Sequence, residues 1–187
     1  MEESERLKEI IKERTLIVKE DAVITLASGL KSSYFFDMKT VLLSTEGANL
    51  ITKEILKRLL GVQFDYIGGM ESGAIPIVAL ISANSAVLGR DIDGFYVRKK
   101  EKNHGERKSG ISNKIDGNLK SNSNVVIVDD VTTTGSSIID AIKEVEKVGC
   151  KVVKVITIVD RSQGAKENLA EQGIELDALF TAAEFGL

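Results

Sequence analysis

The sequence of 187 residues contains one cysteine (Cys150), one histidine (His104), one proline (Pro76) and no tryptophan. A single cysteine excludes an intrachain disulfide. One histidine beside it argues against a zinc centre or a histidine-rich metal cluster. No apolar run approaches the roughly 20 residues of a membrane span, so no membrane contact is expected. The opening stretch, MEESERLKEIIKER, is charged and periodic rather than apolar. A signal peptide is therefore not expected, and a cytoplasmic location is. The net charge of −3 gives no electrostatic support for nucleic-acid binding. There is no internal repeat, low-complexity segment or linker. Hydrophobic residues at 43% and charged residues at 28% have the balance of a soluble globular chain. The length suits one domain with a full core, so residues 1–187 are read as a single unit.

Strand-like and helix-like segments alternate. Leu7, Ile10 and Ile11 predict a short amphipathic helix. Residues 22–39 predict two short strands around a Ser/Gly turn. Residues 45–60 predict a helix with Ile51, Ile55 and Leu59 on one face and Gly61 at its end. FDYIGGMESGAIPIVALIS reads as strand, Gly-rich loop and helix, with Pro76 in the first turn. A strand is expected at 94–98, and 99–123 is polar with no apolar period. Val125–Val128 reads as a parallel strand buried on both faces. A helix over 137–148, the strand KVVKVITIVD, a short helix at 165–171 and the strand IELDALFT complete the pattern. The expected fold is α/β, with a mostly parallel central sheet flanked by helices.

Residues 125–137 read VVIVDDVTTTGSS. The buried strand ends in two carboxylates, Asp129 and Asp130. In open parallel sheets, ligands bind beyond the carboxyl ends of the strands. Gly135 permits an unusual backbone angle in the turn into the next helix. The first helical amides have no internal partners and carry the positive end of the dipole, so an anion fits there. Thr132, Thr133, Thr134, Ser136 and Ser137 add hydroxyl donors. A phosphate in this loop beside two carboxylates points to a sugar phosphate. The acids would accept hydrogen bonds from ribose hydroxyls, or hold Mg²⁺ directly or through water. Helix capping by Asp130 or a threonine is the plainer reading of so short a motif, but it does not account for all 13 residues. No GxxxxGK[ST] motif exists, so a P-loop is excluded. A phospho-acceptor receiver domain would carry its acidic pair after the first strand.

The stretch closely resembles the phosphoribosyl pyrophosphate signature of type I phosphoribosyltransferases. The resemblance implies that Asp129 and Asp130 address the ribose. It also implies that the loop Val131, Thr132, Thr133, Thr134, Gly135, Ser136 and Ser137 wraps the 5-phosphate.

A second segment, YVRKKEKNHGERKSG, concentrates basic residues directly after a predicted strand. Most charge runs are solvated surface. Long ordered loops are often functional lids, however, and basic groups suit a leaving pyrophosphate. Its Arg-Lys-x-x-Lys-x-His-Gly pattern resembles the catalytic loop of orotate phosphoribosyltransferases, with Arg98, Lys99, Lys102 and His104 matching. This implies a mobile lid over about 99–120.

A third segment, TLASGLKSSYFFDMK, resembles that family's N-terminal base-site motif through Ser28, Gly29, Ser33, Tyr34, Phe35 and Phe36. An aromatic wall suits a flat pyrimidine, although each aromatic could equally be a core residue. The family resemblance further assigns Arg161, in VDRSQGA, and Thr133 to orotate; a guanidinium facing the orotate carboxylate makes chemical sense.

Together these resemblances imply a small N-terminal hood over about 1–40. They imply transfer of phosphoribosyl from phosphoribosyl pyrophosphate to orotate, with Mg²⁺, in pyrimidine biosynthesis. Lys99, Lys102, His104, Asp129 and Asp130 would be catalytic. Arg98, Lys99, Lys102 and His104 would hold the pyrophosphate. Thr133, Arg161, Phe35 and Phe36 would meet orotate, and Asp129 is the candidate direct metal ligand. A homodimer with the lid reaching the partner's site is also implied. Two positions depart from the pattern: Ala27 and Gly73 stand where some members carry lysine. A phosphoribosyltransferase for another base, or a non-catalytic phosphoribosyl pyrophosphate sensor, remains an alternative.

Overall fold

Val126 and Val128 face one hydrophobic cluster, and Val125 and Ile127 face another. All four are at most 1% exposed. Side chains alternate across a strand, so an uninterrupted apolar run requires cover on both faces. The computed structural model, which describes residues 2–19, 24–26, 29–101 and 111–187, supplies that cover.

The elements in chain order are α1 (Glu3–Thr15), β1 (Leu16–Val18), β2 (Ile24–Thr25), β3 (Lys31–Ser32), β4 (Tyr34–Phe36), α2 (Lys39–Leu42), α3 (Thr45–Leu59), β5 (Tyr66–Gly68), α4 (Ala74–Ala83), β6 (Asp93–Val97), β7 (Ile115–Gly117), β8 (Asn124–Thr132), α5 (Ser136–Glu146), β9 (Lys151–Asp160), α6 (Ala165–Ala170) and β10 (Leu176–Thr181). Among the described residues the central sheet has six strands in the order β10-β9-β8-β5-β6-β7. The first five run parallel, and β7 pairs antiparallel with β6.

One face of the sheet carries α1, α3 and α4 through Leu7, Ile10, Ile51, Ile55, Ile77 and Ile81. The other carries α5 and α6 through Ile138, Ala141, Ile142, Val145 and Leu169. The helical spacing of Ile51, Ile55 and Leu59 places all three on the buried face of α3, each at most 1% exposed. Each buried side chain of this size contributes about 1.5–3 kcal/mol. Among the described residues no helix is long and apolar enough to cross a membrane.

The expected parallel sheet with helices on both faces is present. Two strands were not legible in the sequence. β7 lies in the stretch read as polar, where Ile115 and Leu119 are the only buried residues among those described. β1 pairs antiparallel with β4, matching Leu16 to Phe36 and Val18 to Tyr34. With the β2–β3 pair, these strands form the N-terminal hood, tied to the main body where the Phe36 and Phe185 rings meet edge-on at 5.3 Å.

From β5 the chain moves outward to β6 and β7 on one side. On the other side lie β8, β9 and β10. The crevice beyond the carboxyl ends of β5 and β8 is thus the topological switch point, the ordinary ligand position in such a sheet.

Candidate active site

β8 delivers Asp129 and Asp130 to that crevice. Asp129 is 8% exposed, and Asp130 is half-buried. The carboxylates hold the local backbone: Asp129 Oδ1 accepts the Asp130 N–H at 3.1 Å, and Asp130 Oδ1 accepts the Val131 N–H at 2.8 Å. Burial pushes both carboxyls above the usual range. For Asp129 the neighbouring Asp130 charge adds to burial, while the Asp130 N–H and Lys99 oppose it. For Asp130, burial is opposed by the Val131 N–H and by Lys39. The pair is a site of concentrated negative potential that a cation, a hydroxyl donor or a developing positive charge would relieve.

The next residues form a cradle. Asp129, Val131, Thr132, Thr133, Thr134, Gly135, Ser136 and Ser137 line a concavity of about 40 Å³. A single water needs roughly 10–15 Å³ measured this way, so the cradle has room for a group of phosphate size. Gly135 caps α5 with φ +77°, a left-handed angle that glycine adopts without penalty. The first turn of α5 carries no acidic side chain to compensate its amides, unlike that of α1 with Glu3 and Glu5. The cradle is braced from β9 and α6: Asn168 Nδ2 donates to Thr134 O at 2.8 Å, and Arg161 N to Thr132 O at 3.0 Å.

The loop after β5 closes the crevice from the other side. A Cβ added at Gly73 would lie 2.3 Å from Asp130 Oδ1. Glycine at this position lets the start of α4 approach the acid, and a lysine here would displace the carboxylate. Glu71 Oε1 accepts the Lys99 N–H at 2.8 Å and so joins this loop to the basic segment. Arg98 is engaged by Asp116, Nη1 to Oδ2 at 3.1 Å, with the Tyr96 hydroxyl on the same oxygen at 3.2 Å. Arg98, Lys99, Lys114 and Lys143 share a cleft of about 500 Å³ with Ser136 and Ser137. Lys102 and His104, like the rest of 102–110, lie outside the described residues, as does Ala27.

At the end of β9, Arg161 is 4% exposed. Its Nη2 donates to Ser32 Oγ at 2.7 Å and its Nη1 to Tyr34 O at 3.3 Å. The guanidinium carbon lies 3.9 Å from the centre of the Tyr34 ring. Its Nε is buried with no hydrogen-bond partner among the described residues. Burial holds the Arg161 pKa below its ordinary value. Phe35 is 36% exposed and available as a wall, whereas Phe36, at 3% exposure, packs inward against Tyr34 and Phe185.

Asp129, Asp130, Thr133 and the rest of the cradle over 131–137 are therefore contiguous, and Arg161 is joined to them through the main chain. Phe36 stands apart from them in the core. Asn168, Ser32 and Lys39 were not singled out from sequence. Their partners are distant in the chain, and no local pattern marks them.

This fold and this loop define a phosphoribosyltransferase. The family model for the phosphoribosyl transferase domain matches residues 41–178. The chain is 42% identical over 180 residues to the orotate phosphoribosyltransferase of Rhodopseudomonas palustris (strain BisB5), covering 96% of this chain and 94% of that one. The crystal structure of Mycobacterium tuberculosis H37Rv orotate phosphoribosyltransferase in complex with Fe(III) dicitrate superposes with a TM-score of 0.82. It is 30% identical, with 100% of both chains covered. The same enzyme in complex with 5-phospho-alpha-D-ribosyl 1-diphosphate gives a TM-score of 0.78 and 28% identity, again over 100% of both chains. The chain belongs to the orotate phosphoribosyltransferase family.

Proposed function

We propose that this chain transfers the 5-phosphoribosyl group of phosphoribosyl pyrophosphate to N1 of orotate, giving orotidine 5′-monophosphate and pyrophosphate. The cradle 131–137 takes the 5-phosphate on the free amides of α5. Asp129 and Asp130 take the ribose hydroxyls. As the N1–C1 bond forms, orotate N1 gives up its proton to water, and the C1–O bond breaks with its electron pair leaving on pyrophosphate. Positive charge then develops on the ribose beside the acid pair, which stabilises it. No protein nucleophile is required; catalysis is positioning and charge stabilisation. Lys99 and Lys102 neutralise the leaving group, with Arg98 contributing once it exchanges Asp116 for phosphate oxygen. His104 contacts the pyrophosphate or supplies a proton to it.

The acid pair fits Mg²⁺. Its donors are hard carboxylate oxygens, and Asp129 uses Oδ1 for one backbone N–H. Asp129, with Asp130 beside it, would hold the ion together with substrate oxygens and water. The metal, when bound, supplies charge neutralisation at the pyrophosphate.

The observation that carries the choice of orotate is Arg161, a buried guanidinium with an unpartnered Nε. Among the described residues no carboxylate forms an ion pair with it. An anionic base satisfies it, with Phe35 as the base wall. Product formation with orotate, adenine, hypoxanthine, xanthine and uracil, with and without Mg²⁺, tests the assignment. Turnover is expected with orotate and Mg²⁺, and none with orotate would defeat the reading.

The assembly proposed with it is a homodimer in which each lid reaches the partner's site, a closed twofold arrangement. Two inactive variants, Lys102→Ala and Asp130→Asn, are mixed and allowed to exchange subunits. Lys102 is preferred to Lys99 as the lid lesion because Lys99 acts on Asp129 of its own chain. Half the dimers are then mixed, each with one intact site, so activity is expected to recover to roughly a quarter of wild type. No recovery after verified exchange would reject shared sites.

A further inference from the structure

We infer that Ser32 and Tyr34 are positioning residues that aim the Arg161 guanidinium, and that they thereby set selectivity for a carboxylate-bearing pyrimidine over an uncharged one. The inference rests on the reading that Arg161 meets the carboxylate of the base. It goes further by locating the source of that selectivity in the β3–β4 turn of the hood.

The geometry supplies the argument. Arginine has a long stem whose rotamer freedom must be frozen before its charge has a fixed direction. Three contacts from one short turn freeze it here. Ser32 Oγ takes Nη2 at 2.7 Å, Tyr34 O takes Nη1 at 3.3 Å, and the Tyr34 ring covers the guanidinium at 3.9 Å. Ser32 is itself locked. Its hydroxyl donates to Tyr34 O at 2.9 Å and accepts the Tyr34 N–H at 3.1 Å, so an acceptor lone pair faces Arg161.

Both acceptors in the turn are neutral oxygens. The turn orients the cation without neutralising it, and the Nε edge stays unpartnered. A carboxylate in the turn would have cancelled the charge. A neutral base gains no charge-assisted hydrogen bond from such a group, whereas an anionic base does. Losing the Ser32 contact frees the guanidinium to rotate away, which weakens only ligands that depend on its direction.

The test uses the full-length enzyme and the variants Ser32→Ala, Ser32→Thr and Tyr34→Leu. It reads KM for orotate, KM for phosphoribosyl pyrophosphate, the inhibition constant of uracil against orotate, and Tm. Ser32→Ala, which removes a hydrogen bond to a charged group, and Tyr34→Leu, which removes the ring covering the cation, are each expected to raise the orotate KM about tenfold. The uracil constant and the KM for phosphoribosyl pyrophosphate should stay within about twofold of wild type, which is at most ~0.4 kcal/mol. Ser32→Thr, which keeps the hydroxyl, should recover most of the loss. An unchanged orotate KM in folded variants overturns the inference. So does an equal rise for uracil, which would mean general collapse of the pocket. Tyr34→Leu provides the reading if Ser32→Ala fails to fold. A wild-type enzyme inactive with orotate defeats the functional assignment and this inference together. An active wild type with indifferent variants defeats the inference alone.

Discussion

Asp130→Asn is expected to lower kcat by on the order of a hundredfold or more, because it removes a charge matched to the transition state. The same change should make the protein more stable at neutral pH. Asp130 has its folded-state pKa raised by burial, and its charge raises that of Asp129. For a carboxyl raised in this way, the unfolded chain ionises first, near pH 3.9. Stability is therefore fully present below that pH and is lost as pH rises toward the folded-state value. Wild type carries this penalty at pH 7, and the asparagine variant does not. The Val131 N–H keeps its acceptor, since asparagine retains Oδ1. Scanning calorimetry should find the Tm of the variant above wild type at pH 7, with the difference closing as pH falls below about 4. Near-normal kcat in the folded variant would remove Asp130 from catalysis. A lower Tm at pH 7 would refute the electrostatic account.

Arg161→Ala is expected to raise KM for orotate by roughly 10- to 150-fold, the affinity equivalent of losing about 1.5–3 kcal/mol in a charged hydrogen bond. KM for phosphoribosyl pyrophosphate should change far less, because the cradle is held by its own loop and by Asn168. Arg161→Lys should not restore binding. A lysine offers a point charge on a flexible stem and cannot engage Ser32, Tyr34 and a ligand in one plane. Initial-rate measurements with each substrate varied in turn decide the matter. Equal effects on both constants would move Arg161 out of the base site.

The two acids of the candidate site, its Thr/Gly/Ser loop and its basic segment are legible in the sequence because each is a run of neighbouring residues of one chemical kind. A strand that must be apolar on both faces, then two carboxylates, then small residues ending in a left-handed glycine, is a local statement. It can be read without knowing what lies beside it. The alternation of strands and helices is equally local, since periods of 2 and 3.6 are properties of one segment. Phe35 and Phe36, side by side in the same motif, could not be told apart in this way. Their opposite directions follow from pairing with β1, which buries Phe36 beside Phe185 and leaves Phe35 outside.

By itself, the sequence determined a parallel α/β sheet, an acidic strand end and a small-residue turn into a helix, because period, composition and backbone freedom act within a few residues. Tertiary structure alone decided which groups meet. It set Gly73 against Asp130, Glu71 under Lys99, Asn168 beneath Thr134, and the Ser32–Tyr34 turn around Arg161. These contacts join elements far apart in the chain. They exist only because burying apolar faces on both sides of one sheet brings those elements to the same crevice.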